Sequence, residues 1–175
     1  MRLLTQFETN KPLNSSLLNS GISDLQIGAK IQLFKRENVN TEIAFLSHIL
    51  LPTAKSQITN SKFGIINKMA VSHSLTEKIG LGYNIGYDNF GAGSGNLTYS
   101  IALNVSLFDK ISFYIEPYSE FSEFKNHFTS FDTGFTYLSK SNLQFDISYG
   151  AGLNYTMSYF STGFSWNISF LKKKL

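Results

Sequence analysis

The residues of this sequence that could do covalent chemistry stand apart from one another. There is no cysteine, which excludes disulfides, thiolate metal sites and cysteine nucleophiles. The histidines at positions 48, 73 and 127 lack the spacing of metal ligands. A hydrolase built on His48 would need a nucleophile and an orienting acid that no motif supplies. We therefore expect no enzyme activity, no metal and no cofactor.

A glycine-rich segment, Gly91-Ala92-Gly93-Ser94-Gly95, superficially suggests a phosphate-binding loop. Phosphate loops of this kind lead into a helix, whose N-terminus supplies the backbone donors. Here both flanking segments have strand patterns. The sequence therefore predicts the tip of a hairpin at this position.

A second set of polar residues is better suited to lining a passage. Each occupies a polar position within an alternating segment, so together they would point into the lumen of a barrel. Such residues tune selectivity in barrel proteins. The alternative is a network of ion pairs that plugs a narrow barrel, since side chains fill the interior of small barrels. The candidates are Lys30, His48, Lys68, Tyr114, Glu116, Tyr118, Asp132 and Asp146, with Asp88 and Glu120 nearer one end.

The elements that position these residues are predicted by a period of two. Strict alternation of apolar and polar residues places one set on each face of a strand. We predict ten strands, several of them about 11 to 13 residues long, whereas about 5 to 6 is usual in globular proteins. Membrane-spanning strands need about 9 to 11 residues. The segments are 3–8, 25–33, 43–51, 63–73, 79–87, 97–107, 111–121, 128–138, 143–153 and 160–170.

The composition of the two faces favours a membrane protein. Only 15% of residues are charged, against about 25% in soluble domains, and the polar face carries mostly Gly, Ser, Thr, Asn and Gln. The apolar face carries no charge. A soluble lipocalin-like barrel, with its apolar face turned inward around a ligand, is the alternative. The residues expected to face lipid are Leu81, Leu103, Ile147, Phe164 and Trp166.

The connections between the predicted strands alternate in length. Tight turns at 74–78, 109–110 and 139–142 alternate with links such as 52–62, 89–96 and 122–127. Outer-membrane barrels have short periplasmic turns and longer outer loops. This predicts an up-and-down antiparallel transmembrane β-barrel. Aromatic residues near both strand ends, with Phe128 and Tyr155 among those at the outer end, fit two interfacial girdles.

Several segments resemble a known family. Gly21-Ile22-Ser23-Asp24-Leu25-Gln26-Ile27-Gly28-Ala29-Lys30 is similar to a Gly-x-x-Asp-Leu-x-x-Gly-x-Lys strand of the bacterial outer-membrane MetA-pathway of phenol degradation proteins, often named transporters. Leu50-Leu51-Pro52-Thr53 matches the Leu-Pro-Thr that ends one of their strands. The hairpin at 132–146 and the strand at 159–166 resemble their closing segments.

The resemblance implies passive transport or binding of a small solute, of hydrophobic or aromatic character if the family name is followed. It also implies outer-membrane lipids and the barrel-assembly machinery as partners. The net charge of +3 gives no reason to expect nucleic acid.

The N-terminal end of the sequence departs from the family pattern. The family leads us to expect a signal peptide and further strands before Met1, so the resemblance implies a chain truncated at its N-terminus or a misplaced start. We expect a barrel domain at 1–170, followed by a basic tail at 171–175. Whether the ten strands close into a barrel by themselves is left open. The expected location is the bacterial outer membrane.

Overall fold

The computed structural model describes residues 2–5, 7–10, 19–59 and 61–166, and strands account for 72% of it. No helix among these residues is long and apolar enough to cross a membrane. The strands are β1 Arg2–Leu4, β2 Phe7–Asn10, β3 Asn19–Ile22, β4 Leu25–Phe34, β5 Thr41–Leu51, β6 Gly64–Ser74, β7 Ile79–Asn89, β8 Asn96–Phe108, β9 Ile111–Ser122, β10 Asn126–Lys140, β11 Leu143–Gly152 and β12 Ser158–Trp166.

Ten of these strands form one antiparallel sheet, in the order β1-β4-β5-β6-β7-β8-β9-β10-β11-β12. From β4 to β12 every strand pairs with its neighbour in sequence, which is the up-and-down order predicted from the connections. The sheet is curled into a half-barrel. The predicted all-β antiparallel barrel architecture, with ten strands in the main sheet, is therefore confirmed.

The N-terminal part differs from the prediction of a single strand at 3–8. Strand β1 joins the main sheet, where Leu3 lies opposite Ile27. Strand β2 instead pairs with β3 in a separate two-stranded sheet, where Phe7 lies opposite Ile22. The division arises from pairing with two different partners, a long-range choice that alternation within 3–8 does not encode.

The register of the main sheet places the apolar residues of successive strands on one face. Leu81 lies opposite Leu103, and Phe145 opposite Phe164. Ile101, which follows the same parity, is 53% exposed. The curled sheet thus turns its apolar side outward, as the convex face, and its polar side inward, as the concave face.

The connections give the half-barrel two different ends. Those at one end, here called the short-turn end, are 35–40, 75–78, 109–110 and 141–142. Those at the other, here called the loop end, are 52–63, 90–95, 123–125 and 153–157. The predicted link at 122–127 is shorter than expected, because the pairing of β9 with β10 continues to Ser122 and Asn126.

Candidate functional site

All eight residues predicted to line a lumen lie on the concave face. The register makes this explicit, because residues on one face sit opposite one another: Glu116 opposite Asp132, and Tyr118 opposite Ser130. Strand parity was therefore enough to assign the face of each candidate. Their role in a passage stays a prediction.

Within the described residues, three of the hollows follow one another along the concave face. The inner hollow, about 260 Å³, reaches from Lys30 of β4 to Glu116 of β9 in the half nearer the short-turn end. The central hollow, about 320 Å³, extends from Lys68 of β6 to Tyr159 of β12. The mouth hollow, about 280 Å³, lies at the loop end beside Phe128. Strands distant in the sheet order line the same space, which reflects the curl of the sheet.

The hollows share lining residues, so they form a continuous trough. Asn84, Ser100 and Glu116 line both the inner and the central hollow. Tyr118 and Glu120 line both the central and the mouth hollow. The trough therefore runs between the two ends of the half-barrel.

Most of the charge of the trough is in the central hollow, where one lysine accompanies several carboxylates. Lys68 Nζ lies 3.8 Å from Asp88 Oδ2. Asn96 donates a hydrogen bond of 2.9 Å from Nδ2 to Glu120 Oε1. The remaining carboxylates of this hollow belong to Glu116 and Asp132. The charged groups of its lining are thus predominantly acidic.

Tyr159 is a central-hollow residue that sequence reasoning did not select. Its hydroxyl interacts with the side chains of Tyr118 and Asp132, although β11 lies between its own strand and β10. The ring passes over Gly150, where an added Cβ would come within 2.3 Å of Tyr159 Cζ. The predicted strand began at Phe160, so Tyr159 lay just outside it, although it shares the parity of Ser161 and Gly163.

The mouth hollow is also lined by two aromatic residues that the sequence analysis assigned to a girdle at the membrane interface. Phe128 and Tyr155 were expected in an outer aromatic girdle, but that prediction is wrong for both. Phe128 lies opposite Glu120 on the concave face, and its ring centroid is 5.1 Å from that of Tyr155. Tyr155 shares a hydrogen bond of 2.9 Å with Ser130, which is almost fully buried. The trough thus has an aromatic wall at its loop end.

Three of the predicted candidates lie on the concave face but do not line these hollows. Tyr114 donates a hydrogen bond of 3.4 Å to Asp132 Oδ2. His48 is buried, with Nδ1 at 3.3 Å from Gln26 Oε1. Asp146 packs against Gly163 of β12. Among the described residues, no group of three or more acids or histidines is placed to hold a metal ion.

The five residues predicted to face lipid all lie on the convex face. Ile147 is 45% exposed and Trp166 is 60% exposed, whereas a core residue would be buried. Leu81 is half-buried beside Leu103. None of the five is enclosed in a protein interior in the described part of the chain. Their side chains therefore face the medium around the protein.

Two segments that carry the family resemblance meet at the loop end. Asp24 Oδ1 accepts a hydrogen bond of 2.9 Å from the Ala54 amide, and Asp24 Oδ2 accepts one from the Thr59 hydroxyl. The Leu25 amide donates a hydrogen bond of 2.9 Å to Thr53 Oγ1. The Asp-Leu and Leu-Pro-Thr motifs therefore fix the long connection 52–63 against the start of β4.

Comparison with known families agrees with these motifs. The sequence model of the family described as "Putative MetA-pathway of phenol degradation" matches residues 2–170. The chain belongs to this family. No curated protein matches it. The phenol-degradation family match covers all twelve strands. It therefore includes both the concave trough and the hydrogen bonds of Asp24 with Ala54 and Thr59, here called the latch.

Proposed function

We propose that this chain belongs to an outer-membrane β-barrel that lets a small solute pass, or binds it, along the concave face. The observation that carries the proposal is the segregation of charge between the two faces. Inside strands β4–β12, excluding the end residues of each strand, every Asp, Glu, Lys and Arg follows the concave parity.

The medium that best suits the convex face is hydrocarbon. A soluble sheet normally protects its exposed face and its edges with charge. At the midplane of a bilayer a lysine or arginine costs about 2 to 4 kcal/mol, which explains an uncharged convex face. Every strand from β4 to β12 exposes apolar residues on the convex face, whereas soluble monomers rarely expose contiguous apolar patches of more than a few hundred Å². Outer-membrane lipids are accordingly the first proposed partner.

The concave trough supports the second part of the proposal. A lipocalin-like binder needs an apolar concave face, whereas the charged residues inside strands β4–β12 follow the concave parity here. The trough connects both ends of the half-barrel. A solute could move along it without forming a covalent bond to the protein. We propose that the short-turn end faces the periplasm and that the barrel-assembly machinery inserts the strands. The family's description makes aromatic compounds the first solutes to test.

The experiment is conductance in planar bilayers, with two variants of adjacent residues. Ala102 lines the inner hollow, whereas its neighbour Ile101 lies on the convex face. We expect Ala102→Trp to reduce the unit conductance at least about twofold, because lumen residues set the width of a passage. Ile101→Trp adds the same ring to the opposite face and should leave the conductance unchanged.

Two results would contradict the proposal. Equal conductance of the two variants would place the ion path elsewhere. No current from a protein verified as folded in the bilayer would favour the alternative of a plugged barrel with a structural role.

A further inference from the structure

We infer that the trough selects cations, and that its preferred solutes are small organic cations. This rests on the proposed function and names the substrate class of the same site. The charged residues that line the central and mouth hollows are Lys68, Asp88, Glu116, Glu120 and Asp132. One lysine faces four carboxylates, a formal excess of three negative charges.

This acidic lining runs against the charge of the whole chain. The sequence has a formal net charge of +3, with Lys and Arg outnumbering Asp and Glu. Most of the described basic residues lie instead in the connections or at strand ends, where they are exposed, as Lys35, Arg36, Lys55, Lys62, Lys78, Lys110, Lys125 and Lys140 are. Of the basic residues that the structure describes, only Lys30 and Lys68 line the trough, whereas five carboxylates do.

An incompletely satisfied carboxylate provides a second, independent observation. Asp88 is only 7% exposed, yet it lines the central hollow. Its Oδ2 is 3.8 Å from Lys68 Nζ, and its Oδ1 has no hydrogen-bond partner. Asp132 Oδ1, in the same hollow, is likewise buried without a partner. Buried polar atoms normally have partners, so these two acceptors are suited to a donor supplied by a solute.

The chemistry of the hollow specifies that donor. An ammonium group brings three N–H donors and a positive charge, and it has no acceptor to be repelled by carboxylate oxygens. Tyr118 and Tyr159 add aromatic rings to the same wall, and aromatic rings attract cations. The volume of about 320 Å³ is at the lower end of the range for small-molecule pockets. A primary amine on a small organic skeleton satisfies all three features.

Calorimetric titration of the detergent-solubilised protein tests this directly. Benzylammonium and benzoate have similar shapes and opposite charges, so they are the matched probes. We expect benzylammonium to bind and benzoate not to bind. Removing two carboxylates in Glu120→Gln/Asp132→Asn should weaken benzylammonium binding about fivefold for each charge at a separation of about 4 Å in a water-like medium. Glu77→Gln, an exposed acid in the connection 75–78, is the control and should bind like the parent.

A reversal potential measured across a KCl gradient separates this inference from the proposed function. Cation-selective current supports both. Current without cation preference, or benzoate binding as tightly as benzylammonium, overturns the inference while leaving the passage in place. Selective benzylammonium binding without any current overturns passage but retains the cation site. The comparison of the two probes needs no variant, so it remains decisive if the double variant fails to fold.

Discussion

On the concave face, glycine stands where a long side chain from the neighbouring strand lies across the backbone. The Tyr159 ring covers Gly150, the Lys68 stem covers Gly86, and the His48 ring covers Gly28. A Cβ built on Gly86 would be 2.7 Å from Lys68 Cγ. These glycines therefore allow large polar groups to lie flat against the sheet instead of filling the trough.

At this scale we predict that Gly150→Ala destabilises the fold by about 1 to 3 kcal/mol, the usual cost of overpacking. The new methyl group would lie 2.3 Å from Tyr159 Cζ and would force the ring out of its place. The measurement is the free energy of unfolding by urea in lipid vesicles.

Gly80→Ala is the matched control, because the nearest atom to its added Cβ is the His73 carbonyl oxygen at 3.8 Å. Both changes convert a glycine inside a strand to alanine on the same face. Equal free energies of unfolding for the two variants would show that the contact of Tyr159 with Gly150 does not determine packing.

At the scale of elements, the two ends of the half-barrel are built differently. The irregularities of register all lie beside short turns, where the strands must splay and reverse within few residues. They occur between Gln32 and Phe34, Ser106 and Phe108, and Leu138 and Lys140. The loop end is instead fixed by side chains: Asn154 accepts a hydrogen bond from the Thr129 amide and donates one to the His127 carbonyl.

The latch at Asp24 gives the prediction that belongs to this scale. Asp24→Ala removes the acceptors of the Ala54 amide and the Thr59 hydroxyl, so the connection 52–63 should open more often. Hydrogen bonds to a charged group contribute about 1.5 to 3 kcal/mol. We therefore expect trypsin to cleave at Lys55 and Lys62 about tenfold faster or more, as followed by mass spectrometry.

Glu37→Ala removes an exposed acid from the connection 35–40 at the opposite end and serves as the control for general loosening. If Asp24→Ala is cleaved at the rate of this control, the two family motifs do not hold the loop.

Alternation fixed the positions of the long strands and the face of each candidate residue, because period two is a local property. It could not predict the boundary between β1 and β2, since that depends on which distant strand each one pairs with. The turn at 123–125 was predicted, but with bounds that were too wide, at 122–127. Glu123 and Phe124 both adopt positive φ there, at 51° and 58°, without a glycine to mark the position. By contrast, glycines with positive φ at 91, 93 and 95 occupy the hairpin tip that the sequence predicted.

At the scale of the whole molecule, one sheet carries two surfaces of opposite character. The convex face of the half-barrel carries the exposed apolar residues, and the concave face carries the carboxylates and lysines of the trough. Contacts between strands that are not adjacent, such as Tyr159 with Asp132, arise only when the sheet curls. The sequence therefore predicted which face each candidate residue lies on, but not which residues contact one another. The central claim is that lipid tails cover the convex face.

A nitroxide scan through the middle of β8 tests this claim most directly, since the chain has no cysteine to interfere with labelling. Labels are placed singly at 99–105 in the protein reconstituted in phospholipid vesicles. We predict that labels at Ile101 and Leu103 are relaxed by oxygen, which concentrates in hydrocarbon, and that labels at Ala102 and Asn104 are relaxed by a water-soluble nickel complex. Relaxation by the nickel complex at Ile101 and Leu103, with oxygen effective at Ala102, would contradict the account.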